Sequence, residues 1–157
     1  MVRGSPAGRP GPASVDLPEV IRAGIVEHAR AELPNEACGL IVGDRPAEAG
    51  GRALRWIPTR NRAASPFLYE IDPDDLLRAT IETDDADEVF WAIVHSHIAS
   101  PARPSPTDIG LAFYPDALYI LVSLHPDEQD PATGQPGLRA WRIVDGLVHE
   151  VAIVAGA

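Results

Sequence analysis

The chain has no lysine. All thirteen of its basic side chains are arginines, so no side-chain amine is present to receive a protein tag. Cysteine occurs once, as Cys38, which excludes an internal disulfide. No stretch approaches the roughly 18 consecutive apolar residues of a membrane-spanning helix, so no membrane association is expected. Met1 to Ser14 are built from Gly, Pro, Ala, Ser and Arg and lack the apolar centre of a secretory signal. That segment reads as a disordered tail, and the protein is expected in the cytoplasm. Basic patches interleaved with aromatics are also missing. Aromatics make up 6% of the chain and the net charge is −10, so no nucleic-acid partner is expected.

What is present is a globular sequence. At 157 residues and 45% hydrophobic content, it can bury a core as a single domain over 15–157. Apolar residues at Leu17, Val20, Ile21, Ile25, Ala29 and Leu33 have helical spacing, which Pro34 ends. His28 lies on that helix as a surface or packing residue. Strands are predicted over 37–42, 52–59, 67–71, 89–95 and 117–124. A closing hairpin spans 138–144 and 147–154 around Asp145-Gly146. Further helices are predicted from Asp72-Pro73 to about Thr83 and over 106–114. This order implies an α/β fold, a mixed β-sheet flanked by helices. Between residues 70 and 88, Glu70, Asp72, Asp74, Asp75, Glu82, Asp84, Asp85, Asp87 and Glu88 face one Arg78. They form either a solvated acidic face or a surface that steers a basic partner.

The chemistry is concentrated between residues 95 and 108. His95 and His97 are two apart and follow the apolar run Val89 to Val94, so a buried strand would point both imidazoles to one face. Seven residues later comes Ser105-Pro106-Thr107-Asp108. Serine, proline and an acid at these positions make an ordinary helix start. A helix beginning there also aims Asp108 back toward the strand end. Two imidazoles and a carboxylate form a common zinc set that leaves a fourth position for water. A zinc hydrolase further needs a proton acceptor. Glu36, at the mouth of the apolar run Ala37 to Val42, is the candidate. Glu32 competes, but falls on the helical face before Pro34. Cys38 reads as a small buried core residue, with a redox or inhibitory role near the metal as the alternative. His125 and His149 are not assigned to the metal.

Glu36 within PNEACGLIVG, followed by His95-Ser96-His97, Ser105 and Asp108, resembles the JAMM/MPN+ metalloprotease family. The resemblance runs from about Val15 to Val154. Pro58, Asn61 and the stretch from Phe67 to Asp72 resemble its small bacterial branch. Ile98 departs from the pattern, since many relatives have proline there, and altered loop shape is the expected consequence. The resemblance implies a sandwich related to cytidine deaminases and one zinc per chain, held by His95, His97 and Asp108. It implies Glu36 as general base and then acid, and Ser105 as a donor to the oxyanion. Ser96 orients the loop and does not react.

The implied activity is that of a peptidase or isopeptidase. The bond cut follows the C-terminal Gly-Gly of a ubiquitin-like protein. The short run between Asp108 and the next strand leaves no room for the second active-site insertion of chain-selective relatives. The branch therefore suggests a sulfur-carrier substrate from which cysteine or a peptide is released, as in cysteine biosynthesis. The competing reading is a non-catalytic MPN interaction module with a structural metal. A nucleoside deaminase would need Cys-x-x-Cys, which a single cysteine cannot provide.

Overall fold

A computed structural model describes residues 13–156; the tail assigned to 1–14 lies largely outside the described residues, and Ser14 already belongs to a strand. In chain order the elements are β1 (Ser14–Pro18), α1 (Glu19–Ala31), β2 (Cys38–Gly43), β3 (Ala53–Thr59), α2 (Pro73–Asp85), β4 (Val89–His97), α3 (Pro106–Gly110), β5 (Leu118–Ser123), β6 (Gly137–Val144) and β7 (Leu147–Gly156). The strands form one mixed sheet in the order β1-β7-β6-β5-β4-β2-β3. The β1–β7 and β4–β5 pairs are parallel and the others antiparallel. The expected α/β class is borne out.

Two cores lie on the two faces of the sheet, as the period of two requires. One contains Ile21, Ile25, Val26 and Ala29 of α1 against Ile41, Val94, Ile120 and Val122. The other contains Ala79 of α2 with Leu40, Ile93, Leu121, Trp141 and Ile143, joined by Tyr69, Ile71 and Ile109. β2 and β5 are buried along their whole length, which is why their sequences are nearly continuous apolar runs. The closing hairpin turns at Asp145 and Gly146, both at positive φ (53° and 76°), the conformation an Asp-Gly turn favours.

Besides shifts of one or two residues at several ends, three elements differ from expectation. The helix predicted from Leu17 begins at Glu19, because Val15 and Leu17 alternate inward on β1, which pairs with β7. Val20 is consequently 79% exposed, and Val26 takes a place in the core. The predicted strand 67–71 reduces to a single bridge between Asn61 and Ile71, because the side chain of Asn61 takes up neighbouring backbone groups. α3 ends at Gly110 instead of continuing to Tyr114, where glycine and the following Pro115 disfavour helix.

Part of the acidic segment is structural. Asp72 caps α2 by accepting from the N–H groups of Asp74 and Asp75. Asp72 and Asp75 pair with Arg60, and Glu88 with Arg55. Hydrogen bonding from Arg60 holds the Asp75 carboxyl below its usual range. No helix among the described residues is long and apolar enough to cross a membrane.

Gly39 on β2 lies where an added Cβ would meet the Trp56 ring and, at 2.6 Å, the Ile57 carbonyl oxygen. The carbonyl belongs to the paired neighbouring strand and cannot swing aside. Gly39→Ala is expected to lower stability by about 1–3 kcal/mol, the usual range for overpacking. Urea denaturation checks this, and an unchanged midpoint would mean the strand pair can relax around the methyl.

Candidate metal centre and its surroundings

β4 reaches the site by alternation. Ile93, His95 and His97 point to the α2 face, while Val94 and Ser96 point to the α1 face. All three residues of the His-Ser-His run are buried, with His95 at 1% and His97 at 5% exposure. Ser96 extends the β2–β4 pairing past its end. Its N–H donates to the Ala37 carbonyl at 2.9 Å, and its Oγ accepts the Ala37 N–H at 2.7 Å. The residue before Ala37 is Glu36, so this double contact brings the acid beside the histidines. The orienting role expected of Ser96 has this as its physical form.

Asp108 arrives from the other side. Ser105 caps α3 in a reciprocal capping box. Its Oγ accepts the Asp108 N–H at 3.1 Å, and Asp108 Oδ2 accepts the Ser105 N–H at 2.9 Å. Asp108 Oδ2 also lies 3.1 Å from His97 Nε2 and 3.2 Å from His95 Nε2. The ligand atoms of His95, His97 and Asp108 all fall within 4.8 Å of one another, the one such group of metal-binding side chains among the described residues.

The donor chemistry of this group calls for a cation. His97 Nδ1 is 2.7 Å from the Pro101 carbonyl oxygen. A carbonyl only accepts, so Nδ1 carries a proton; the charged ring can donate from Nε2 to Asp108, whereas the neutral ring, the form that ligates metal, presents a lone pair to that carboxylate oxygen. In His95 the approach to Asp108 is not aligned as a hydrogen bond, and neither ring nitrogen has a hydrogen-bond partner. Orphaned buried nitrogens are expensive unless something binds them. Burial pushes the His95 pKa down, favouring the neutral ring that ligates metal. Burial also acts to lower His97, but Asp108 and the Pro101 carbonyl outweigh it and raise the net value. In Asp108, burial acts upward while the two imidazoles pull the carboxyl well below the usual range. The three residues fit zinc by type and by proximity.

The loop that orients His97 is itself fixed. Trp141 Nε1 donates to the Ala102 carbonyl at 3.0 Å, Glu128 accepts the Ala102 N–H at 3.1 Å, and Ser123 Oγ donates to the Ser100 carbonyl at 2.6 Å. Hydrogen bonds on both sides of Pro101 hold its carbonyl against His97, an outer-shell arrangement typical of metal-bound histidine. Sequence reading missed these three residues, because they lie on β5, β6 and the turn between them.

Glu36 is 4% exposed, and its Oε1 has no hydrogen-bond partner. Burial raises its pKa to about 7, with His97 pulling it down and Asp108 pushing it up by smaller amounts. Such a carboxyl can exchange protons near neutral pH. Glu32 instead ends α1 as its C-cap. Tyr69, a further residue that sequence reading missed, stacks on His95 with ring centroids 4.2 Å apart and planes 20° apart.

Cys38 and His28 serve packing. The Cys38 Sγ contacts Thr59 Oγ1 at 3.3 Å and the Arg60 carbonyl at 3.5 Å, and burial pushes the thiol up to about 11. His28 Nε2 donates to the carbonyls of Cys38 and Thr59, both at 3.1 Å, tying α1 to the β2–β3 pair. His149 is exposed on β7, and neither it nor His125 joins the metal-binding group.

A mixed sheet that brings two strand histidines and a capping aspartate to one buried point defines a JAB/MPN-type domain. Known proteins agree with that class. A family model described as prokaryotic homologs of the JAB domain matches residues 18–144. The chain belongs to this family, as its motifs suggested. The CysO-cysteine peptidase of Mycobacterium tuberculosis is 44% identical over 135 residues, covering 83% of this chain and 86% of that protein. A probable TtuB-protein conjugate cleaving protease of Thermus thermophilus is 35% identical, covering 83% of this chain and 78% of its own length. The desampylase of Haloferax volcanii is 33% identical over 65% of this chain and 75% of that protein. Among solved structures, a protein of Desulfitobacterium hafniense superposes with a TM-score of 0.74 at 33% identity, covering 90% of this chain and 92% of that one. A JAB1/MPN domain protein from Archaeoglobus fulgidus shares the fold, with a TM-score of 0.52 at 17% identity over 89% of this chain and 98% of that one.

His97→Ala and Asp108→Ala are expected to leave a folded protein that retains no zinc after equilibration and desalting. Elemental analysis checks this. Full metal content in either variant would mean the metal is bound elsewhere.

Proposed function

We propose that the chain is a zinc-dependent peptidase that hydrolyses the bond following the C-terminal Gly-Gly of a ubiquitin-like sulfur carrier. The released group is cysteine or a short peptide; release of cysteine would make the reaction a step of cysteine biosynthesis, carried out in the cytoplasm. The observation that carries this reading is the convergence of His95, His97 and Asp108 within 4.8 Å on a buried strand end. The names of the relatives support the substrate class, since they describe cleavage of CysO-cysteine and of TtuB conjugates.

His95, His97 and Asp108 would hold the zinc. A zinc ion so held supplies a Lewis acid and makes water more acidic. The remaining chemistry falls to the chain's own groups. Glu36 takes a proton from the attacking water as that water's oxygen bonds to the scissile carbonyl carbon. It then delivers the proton to the leaving nitrogen as the C–N bond breaks. Its partner-free Oε1 and its pKa near 7 suit both transfers. The Ser105 oxygen accepts from Asp108, leaving its O–H available to donate to the developing oxyanion. Ser105 thus combines the cap role with the catalytic one. A Gly-Gly tail would suit a narrow cleft because glycine has no side chain to clash with its walls.

The alternative, an interaction module with a closed structural metal, is less well supported. A closed shell needs a fourth protein ligand, and no other His, Cys, Asp or Glu joins the group among the described residues. The Cys38 thiol is engaged by Thr59 and Arg60 instead.

Glu36→Gln keeps the shape of the side chain and removes its basicity. It is expected to bind one zinc per chain and to lose cleavage of a carrier ending in Gly-Gly-Cys. Elemental analysis and mass spectrometry of the carrier measure both, and turnover by the variant would remove Glu36 from the mechanism. Ser105→Ala is expected to lower kcat by about 10²-fold, the scale of losing one oxyanion donor. A fall in melting temperature with kcat intact would leave Ser105 as a helix cap alone.

A further inference from the structure

Asn61, in the loop after β3, has every polar group of its side chain engaged. Nδ2 donates to the Glu36 carbonyl at 2.9 Å and to the Leu68 carbonyl at 3.1 Å. Oδ1 accepts from the N–H groups of Ala63 at 3.0 Å and Glu70 at 2.9 Å. Two donors and two acceptor sites are the full capacity of an amide. The N–H of Glu36 also goes to this loop, donating to the Ser65 carbonyl at 2.8 Å. Both backbone polar groups of Glu36 are therefore held by the 61–70 segment. Glu36 Oε1 has no hydrogen bond of its own, so these backbone bonds contribute directly to the position of the carboxylate. The same segment carries Tyr69, whose ring stacks on His95.

We propose that Asn61 is a positioning residue. It fixes the Glu36 peptide against the His95–His97–Asp108 group, and it makes the 61–70 loop one clamp that touches both the base and a metal ligand. The inference rests on the reading of Glu36 as the base. Asparagine is specific to the role. Aspartate is isosteric, but it would set an oxygen with no hydrogen to donate against the carbonyls of Glu36 and Leu68. A misplacement of about 1 Å at a reacting group costs on the order of 10²-fold in rate. The metal ligands stand on β4 and α3, outside the clamp.

The test uses the full chain loaded with zinc, as wild type, Asn61→Asp and Asn61→Ala. Three quantities are read: zinc affinity by chelator competition, kcat and KM on a carrier ending in Gly-Gly-Cys, and amide hydrogen exchange. The expected result for Asn61→Asp is a fall in kcat of about 10²-fold. Its zinc affinity should stay clear of the roughly 10–100-fold loss that follows removal of a ligand-orienting partner. The amide of Glu36 should lose protection, while that of Glu70, whose acceptor oxygen the aspartate retains, and those of β4 and β5 keep theirs. Unchanged kcat with Glu36 protection retained overturns the proposal. So does a joint fall of kcat and zinc affinity with loss of protection in β4, which marks a general structural role. Asn61→Ala deletes the four bonds without adding a charge and gives the same readout if the aspartate variant does not fold. If wild type cleaves no such carrier, the peptidase reading fails by itself. Hydrogen exchange then decides the inference, and retained protection at Glu36 overturns it.

Discussion

The double contact between Ser96 and Ala37 joins the beginning of β2 to the end of β4, and the site is arranged around it. The N–H and hydroxyl oxygen of Ser96 are both committed to one residue, Ala37. Ser96 can make this contact because it faces the α1 side, while its two neighbours face the other way. The strand period of two thus assigns adjacent residues different tasks. The serine secures the segment that carries Glu36, and the histidines on either side of it meet Asp108. A buried backbone N–H without a partner would be destabilising by about 1–3 kcal/mol, so the clasp also stabilises the sheet locally.

The electrostatics of the centre follow from burial. A carboxylate oxygen and two imidazole nitrogens share a buried space, and in the neutral form of His97 the nitrogen facing Asp108 presents a lone pair, because the other donates to Pro101. With protein atoms alone, such a cluster must rely on borrowed protons. The opposite directions of the His95 and His97 shifts express this competition between desolvation and the nearby carboxylate. A divalent cation would satisfy all three groups together. The loop that carries Pro101 is held by bonds from β5, β6 and the turn between them, so the orientation of His97 is set by the body of the fold.

Much of this was legible in the residues. His95 and His97 on an apolar run could be assigned to one strand face, and Ser105 with Pro106 to a helix start, because both are local rules of spacing and capping. Glu36 was legible as an acid at a strand mouth, but its burial and raised pKa depend on residues remote in sequence. Leu17 and Val20 were misassigned to a helix face because their spacing also fits a strand followed by a helix. Only the pairing of β1 with β7 resolves that ambiguity. Phe67 to Ile71 looked like a strand by composition, and hydrogen bonding by Asn61 made it a loop.

The sequence alone determined which atoms were available: two imidazoles and a carboxylate at set spacings, a lone thiol, no lysine, and enough alternating apolar residues for a sheet. These are properties of composition and of short-range geometry. The tertiary structure decided which of those atoms meet. It engaged the Cys38 thiol with Thr59 and Arg60, left His149 exposed, stacked Tyr69 on His95 and gave Asn61 the backbone of Glu36. Such contacts join segments of distant sequence position through strand pairing. Their partners are therefore chosen by the register of the whole sheet, which no local pattern encodes.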